Sequence, residues 1–254
     1  MSRRTALITG PTAGIGLAFA RQLAGKGYDL VLVARNEERL RTLAAEIESR
    51  YGVHAEVFVA DLADRAALAP VEARVADPAR PVDLLVNNAG FGLRHPFLEN
   101  DVEDEQAMLD VLVTAVLRLT HASLGPMVAR GGGAIINVSS VAGYLPRGTY
   151  SAAKAYVTAL SEWANLTYRD RGVRVMALLP GFTKTEFHER MEVSRDSAPS
   201  WMWLDADRLV RDALADLDKG RTISVPGKRY KVLAAVAKYT PSSLQARFQG
   251  LGRK

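Results

Sequence analysis

The 254-residue chain is expected to fold as an α/β protein, one domain over 1–254 built on a doubly wound parallel sheet of about seven strands with helices on both faces. Three observations predict this. Strand-like and helix-like segments alternate from the first residues onward. The strand-like segments are near-continuous apolar runs, as burial on both faces of a helix-covered parallel sheet demands. No internal repeat and no linker interrupts the alternation, so right-handed crossovers would wind a single three-layer sandwich.

The elements follow in order. Thr5–Thr9 reads as a buried strand and Gly14–Lys26 as a helix. Asp29–Ala34 is the second strand, and Glu37–Arg50 a helix with Asn36 as its N-cap. A third strand spans Ala55–Ala60, a helix Ala66–Val75, and a fourth strand Val82–Val86. A long helix is expected over Glu103–Ala129, then a strand over Ala134–Val138. The helix that carries Tyr150 runs as far as Asp170, and Val173–Leu179 is the sixth strand. Ala206–Leu217 is a last helix before the strand Thr222–Val225. The irregular stretch His188–Ser200, with Trp201-Met202-Trp203 behind it, reads as part of a substrate-side flap over 187–204.

Hydrophobic residues make up 48% of the chain, enough for a substantial core. The absence of cysteine excludes disulfides and thiolate metal sites. No His/Asp/Glu set has ligand spacing either, so no metal is expected. No secretory leader is seen and no apolar stretch reads as long enough to span a bilayer, which favours a cytoplasmic location. The net charge of +5 is concentrated at one end. Lys228, Arg229, Lys231, Lys238, Arg247, Arg253 and Lys254 lie in a 228–254 tail without an acid, and the remainder is net negative. That distribution is not a nucleic-acid stripe. Leu233, Val236, Ala237, Leu244 and Phe248 interleave the cations, a pattern that suits peripheral membrane contact or a partly docked, solvated tail.

Thr9-Gly10-Pro11-Thr12-Ala13-Gly14-Ile15-Gly16 joins the first strand to the first helix. Glycines here permit a tight turn, bring backbone N–H groups to a pyrophosphate and let helix and strand pack closely. The helix N-terminus favours an anion. The spacing is Gly-x-x-x-Gly-x-Gly, and its place at the first strand–helix junction points to a dinucleotide. A carboxylate at the end of the second strand would select NAD, but that strand ends Val33-Ala34-Arg35-Asn36. Arg35 therefore points to the 2′-phosphate of NADP, with Arg39 one turn on to assist. The alternative for Arg35 is a solvated helix-start residue.

Tyr150 and Lys154 lie four apart, ten residues after Ser140, so the phenol and the ammonium share one helix face. An unperturbed phenol has a pKa of about 10. A nearby cation is expected to lower it, and a drop of about three would correspond to about 4 kcal/mol. Such a tyrosine can give a proton to a carbonyl oxygen or take one from an alcohol. Taken singly, Lys154 also fits a solvated helix lysine and Ser140 a strand-end turn former.

The order of these motifs resembles the short-chain dehydrogenase/reductase family over nearly the whole chain. The matching residues are the Thr9–Gly16 loop, Asp61-Leu62, Asn87-Asn88-Ala89-Gly90, Ser139-Ser140, Tyr150, Lys154, and Pro180-Gly181 followed by Thr183 and Thr185. The resemblance implies a Rossmann-type fold in which Asp61 and Leu62 hold the adenine ring and Pro180, Gly181, Thr183 and Thr185 meet the nicotinamide amide. Asn88, Ala89 and Gly90 would line the cofactor. Tyr150 would be general acid in reduction and general base in oxidation. Lys154 would lower its pKa and bond the nicotinamide ribose, and Ser140, rather than Ser139, would hold the substrate oxygen. The implied activity is reversible, NADPH-dependent reduction of an apolar ketone or aldehyde. The alternative is a non-catalytic NADP-binding sensor or scaffold. Relatives pair the long helix and the Tyr150 helix between subunits, which implies a homodimer or homotetramer.

Two features depart from the family pattern. Leu112 stands where relatives place an asparagine that holds a water feeding the lysine. The interval from Ser140 to Tyr150 is short, and its loop Val141–Thr149 normally helps wall the substrate pocket. Phe91, Leu145 and Phe182 are expected in that pocket. Trp201 and Trp203 read equally as substrate cover or as packing for the last helix. His95 and His188 read as specificity or surface residues.

Overall fold

The apolar runs pair as one seven-stranded parallel sheet in a computed structural model, which describes residues 3–183 and 200–240. The strands are β1 (Thr5–Thr9), β2 (Asp29–Ala34), β3 (Ala55–Val59), β4 (Leu84–Asn87), β5 (Gly133–Val138), β6 (Val173–Leu178) and β7 (Ile223–Ser224), in the order β3-β2-β1-β4-β5-β6-β7. Successive residues face opposite sides. Thus Ile8, Leu32, Val86, Ile136 and Met176 pack with Phe19, Leu23, Leu40, Ile47 and Val210 on one face. Leu7, Val33, Leu85, Ile135 and Val175 pack with Leu68, Val71, Ala115 and Leu119 on the other. Both faces need apolar cover, which is why the strands show no alternation in sequence.

Helices α1 (Gly14–Gly25), α2 (Glu37–Tyr51) and α7 (Ala206–Asp218) cover the first face. Helices α3 (Arg65–Ala76), α5 (Ala115–Ala129) and α6 (Thr149–Tyr168) cover the second. Asn36 caps α2 by accepting from the Arg39 amide at 2.9 Å, as the sequence predicts. From β1 the chain winds outward through β2 to β3, then returns to place β4 on the other side of β1. That reversal opens a crevice beyond the carboxyl ends of β1 and β4, where doubly wound sheets take their ligands.

One expectation gains a detail and another needs correction. The helix expected over Glu103–Ala129 is α4 (Val102–Leu109) and α5 joined by one π-helical turn, Asp110–Thr114. By length and hydropathy, Val102–Ala129 is also apolar enough to cross a membrane, contrary to the sequence reading. Met108, Leu112, Ala115, Leu119 and Met127 of this rod are buried in the protein, so its hydrophobicity serves the core.

A buried polar seam crosses the second face. The Asn87 amide donates to Asn137 Oδ1 at 2.8 Å, and the Asn137 amide donates to Ser161 Oγ at 3.0 Å. It fixes β4, β5 and α6 to one another beneath the crevice. Farther along α6, Asn165 accepts from the Val175 amide at 3.1 Å and donates to Thr222 at 2.8 Å, tying the helix to the far strands.

The first part of the basic segment is helix α8 (Lys228–Tyr239). Tyr230 and Ala234 anchor it by burial, while Val232, Val236 and Tyr239 stay exposed. The Lys238 ammonium lies 6.0 Å from the Tyr144 ring centroid. Leu244, Arg247, Phe248, Arg253 and Lys254 lie outside the described residues, as does 187–199 of the expected flap. Its remainder makes a short 3-10 turn, Ser200–Met202, and Leu204 bridges to Thr183.

Candidate active site

The glycine loop closes over β4 rather than standing free. The Thr9 hydroxyl accepts from the Asn88 and Ala89 amides, both at 2.9 Å. The Asn88 side chain in turn donates to the Thr9 and Gly10 carbonyls at 2.9 and 3.1 Å. Gly10 has φ +66°, and a Cβ there would meet Ala89 Cα at 3.0 Å. A Cβ on Gly16 would overlap the Gly10 carbonyl. Only glycine allows this turn at the start of α1, whose first-turn N–H groups have no intrahelical acceptor. Gly14, Thr12 and Ile15 complete the loop and are half-buried. The concave loop, the helix N-terminus and Gly90 beside Lys154 fit a dinucleotide.

Arg35 follows β2 and is exposed, as is Arg39. An Arg35 nitrogen lies 3.7 Å from Asp61 Oδ2, with 69% and 45% of the two side chains exposed. Such a solvated pair is worth about 0–1 kcal/mol, so the guanidinium can be recruited by a phosphate. Asp61 also accepts from the Ala63 amide at 3.0 Å, and Leu62 beside it is buried. Asp61, Leu62 and Arg35 thus share the end of β2 and β3 where the adenosine half of a dinucleotide would sit.

Ser140, Tyr150 and Lys154 converge where β5 meets α6. Ser140 lies two residues past β5 with an extended backbone, accepts from the Ala142 amide at 3.1 Å and hydrogen-bonds the Tyr150 phenol. Ser139 faces the other way. Its hydroxyl donates to the Lys154 carbonyl at 2.7 Å and pairs with Thr158, so it positions the helix. The Lys154 ammonium donates to the Val138 carbonyl at 2.8 Å and lies 5.6 Å from the Tyr150 ring centroid.

The expected lowering of the tyrosine pKa does not occur in this geometry. Burial pushes the Tyr150 phenol up to about 12, against an opposing pull from the Ser140 hydrogen bond. Burial also pushes the Lys154 ammonium down to about 8. Desolvation therefore outweighs mutual attraction, because the ammonium is turned to Val138 rather than to the phenol. The pair is a protonated phenol beside a lysine that titrates near the physiological range.

Leu112 lies within the π turn and is fully buried with Met108 and Ala153. Its side chain fills the space behind Gly90, where a Cβ would meet Leu112 Cδ2 at 2.7 Å. It is a packing residue that holds Gly90 and the Tyr150 region together. The short interval before Tyr150 is spanned by a 3-10 turn, Val141–Tyr144, which packs on α6.

A cavity of about 310 Å³ ends on Tyr150. Leu93, Phe97, Met108 and Pro146 supply its apolar wall, and His95, Asn100, Glu105, Arg147 and Thr149 its polar one. Of the pocket residues expected from sequence, His95 lines it, whereas Phe91, Leu145 and Phe182 do not. Phe91 packs by Leu112, and Phe182 packs on Trp203 with centroids 5.6 Å apart. Trp203 is thus a packing partner, while His188 lies outside the described residues.

Pro180 and Gly181 leave the end of β6 toward the same crevice. Tyr230, which sequence reasoning missed, clamps them. Its hydroxyl accepts from the Phe182 amide at 2.9 Å and donates to the Met202 carbonyl at 2.7 Å. Its ring lies so close to Gly181 that a Cβ there would overlap it. Thr183 is buried and donates to the Gly181 carbonyl at 3.0 Å. Thr185 lies outside the described residues. No local motif announces Tyr230, because it arrives from a helix 48 residues away.

Known proteins resemble this chain in sequence and in fold. The family model for short chain dehydrogenases matches residues 4–196. Sulfoacetaldehyde reductase 2 of Chromohalobacter salexigens is 36% identical over 216 residues, which cover 83% of this chain and 85% of the relative. Serine 3-dehydrogenase of Agrobacterium fabrum is 36% identical over 187 residues, covering 72% and 73%. A solved short-chain dehydrogenase from Sphingobium yanoikuyae in complex with NADPH superposes with a TM-score of 0.86 at 35% identity, covering 98% of this chain and 94% of that one.

The buried lysine makes a prediction about stability. Its folded pKa is depressed below the ordinary 10.5 to about 8. The charged form is therefore penalised below about 8, and the penalty fades as pH rises toward the unfolded value. Between pH 7 and 9.5 the wild type should gain about 2 kcal/mol relative to Lys154→Met. Urea denaturation of both proteins at the two pH values measures it; parallel pH dependence would refute the assignment.

Proposed function

The chain belongs to the short-chain dehydrogenase/reductase family, whose members carry out NAD(P)-dependent carbonyl reduction, and from that premise we propose that it reduces a small ketone or aldehyde with NADPH, reversibly, using Tyr150 as proton donor. The observation that carries this reading is a phenol that burial keeps protonated, hydrogen-bonded to Ser140 at the end of the 310 Å³ cavity and one helical turn before a buried lysine. The phenol holds the proton that reduction needs, and a cation brought beside it would lower its pKa toward the operating pH, where proton transfer is most effective.

Bound in the crevice, NADPH would supply the hydride. Gly10, Thr12, Gly14, Ile15 and Gly16 would cradle its pyrophosphate, and Arg35 and Arg39 its 2′-phosphate. Asp61 and Leu62 would flank the adenine. Asn88, Ala89, Gly90, Pro180, Gly181, Thr183 and Thr185 would border the nicotinamide half. Ser140 and Tyr150, already hydrogen-bonded to each other, would share the substrate oxygen. Tyr150 releases its proton to that oxygen as negative charge develops there. Lys154 can leave the Val138 carbonyl to approach the phenol and the ribose, where its charge stabilises the resulting phenolate. A non-catalytic sensor or scaffold is the second reading, since Leu112 replaces a water-holding asparagine; against it, Leu112 packs behind Gly90 and Ser140 and Tyr150 remain hydrogen-bonded.

The sulfoacetaldehyde and serine named in the two relatives are small and polar. The cavity here is mixed, so the proposed substrate has an apolar body with a polar group. Exposed Leu117, Tyr156, Trp163 and Leu166 on α5 and α6 support assembly of a homodimer or homotetramer through these helices.

Three measurements test these readings. Tyr150→Phe should lower kcat/KM for ketones by about 10³-fold while NADPH binding is kept; equal rates in wild type and variant would sink the catalytic role. Arg35→Ala should weaken NADPH about ten- to a hundredfold in a fluorescence titration and leave NADH unchanged. An unaltered preference would remove Arg35 from the phosphate site. Trp163→Glu should shift the protein to monomer in light scattering; an unchanged mass would place the interface elsewhere.

A further inference from the structure

Glu105 lies in the first turns of α4 and is 7% exposed. Its Oε1 accepts from the Asn100 amide at 2.8 Å. That amide also donates to the His95 carbonyl at 3.1 Å, which commits both of its hydrogens. Oε2 is buried and has no hydrogen-bond partner among the described residues. Buried polar atoms are nearly always paired in folded proteins, because each unpaired one forfeits its hydration.

The place of this orphan acceptor is what gives it meaning. Glu105, Asn100 and His95 all line the cavity that ends on Tyr150. Leu93, Phe97, Met108 and Pro146 in the same wall have no side-chain donor, and His95, Arg147 and Thr149, which have one, do not bond Oε2. The torsion that turns a carboxylate about its last carbon bond is broad and moves both oxygens together, so a modest rotation presents Oε2 to a cavity ligand and leaves Oε1 within reach of Asn100. A ligand that brings a donor removes the mismatch, and one that brings a methyl group leaves it in place.

We infer that Glu105 determines specificity: the cavity selects a carbonyl substrate that also carries a hydrogen-bond donor, a hydroxyl or an ammonium, on a short apolar body. This inference rests on the reductase reading of Tyr150. A site built around a buried acceptor rejects the analogue that lacks the donor more strongly than an apolar pocket rejects an extra group. The cavity volume is at the low end of ligand pockets, which keeps the donor within a few carbons of the carbonyl.

The test uses matched ketones that differ only by hydroxyl for methyl, such as 4-hydroxy-2-butanone against 2-pentanone and 1-hydroxy-2-butanone against 3-pentanone. 4-Amino-2-butanone hydrochloride forms the ammonium arm. With NADPH, the full-length wild type should favour at least one donor-bearing ketone over its isostere by about ten- to a hundredfold in kcat/KM. Glu105→Leu should bring the ratio of kcat/KM between each donor-bearing ketone and its isostere down toward one; Glu105→Gln, closer in shape, should lose the ammonium preference and retain part of the hydroxyl one. Turnover of plain and donor-bearing ketones at equal kcat/KM by the wild type would overturn the inference while leaving the reductase reading intact. So would a preference that survives in Glu105→Leu. If no ketone is reduced above the Tyr150→Phe background, the reductase reading itself fails. The same pairs are then compared by ligand-observed NMR, where stronger binding of the donor-bearing ketone, lost in Glu105→Leu, upholds the Glu105 assignment and equal binding ends it.

Discussion

The site depends on how one helix is fastened to the end of one strand. The Ser139 hydroxyl donates to the Lys154 carbonyl at 2.7 Å, and the Lys154 ammonium donates to the Val138 carbonyl at 2.8 Å. These two bonds run in opposite directions between β5 and α6, so the helix can neither slide nor rotate without breaking one. Ser140 follows β5 and Tyr150 opens α6, and their hydrogen bond is a consequence of that docking. The Asn87–Asn137–Ser161 seam below repeats the device across β4, β5 and α6. Polar contacts fix the register here because apolar packing alone has little directional preference.

This fastening has an electrostatic cost. An ammonium held among buried groups loses hydration, and a single carbonyl restores only part of it. The result is a lysine near 8 and a phenol near 12, each displaced toward its neutral form by burial. The same desolvation makes later changes effective, since a charge brought into a low-dielectric site acts more strongly than one in water. The pair is thus kept neutral-leaning and responsive, and its chemistry is set by what approaches it.

Much of the fold was legible because parallel strands buried on both faces must be apolar throughout, and Leu30–Val33 and Ile135–Ile136 admit no other easy reading. The Asn36 cap and the glycine turn were legible for a similar reason, as each follows from local stereochemistry. The π turn at Asp110–Thr114 was not, because no residue pattern in a helical stretch marks it, and Leu112 within it is buried against Met108 and Ala153. In sequence Leu112 reads as a gap in a hydrogen-bond chain. In the fold it is the residue behind Gly90. The pocket suffered most: Phe91 and Phe182 are aromatic and close in sequence to site motifs, yet each is taken up by packing.

The sequence by itself determined the order of elements, the turn that can admit a pyrophosphate, and a tyrosine and lysine one helical turn apart. These are properties of chain spacing and backbone sterics, which act within a few residues. Tertiary structure alone decided the direction in which burial moves Tyr150 and Lys154, the clamp of Tyr230 on Gly181 and Phe182, and the arrival of Glu105 in the wall beside Tyr150. The clamp and the cavity wall join residues dozens of positions apart, and all three features depend on how much water is excluded where the elements meet. Exclusion of water is a property of the assembled layers, and no local segment carries it.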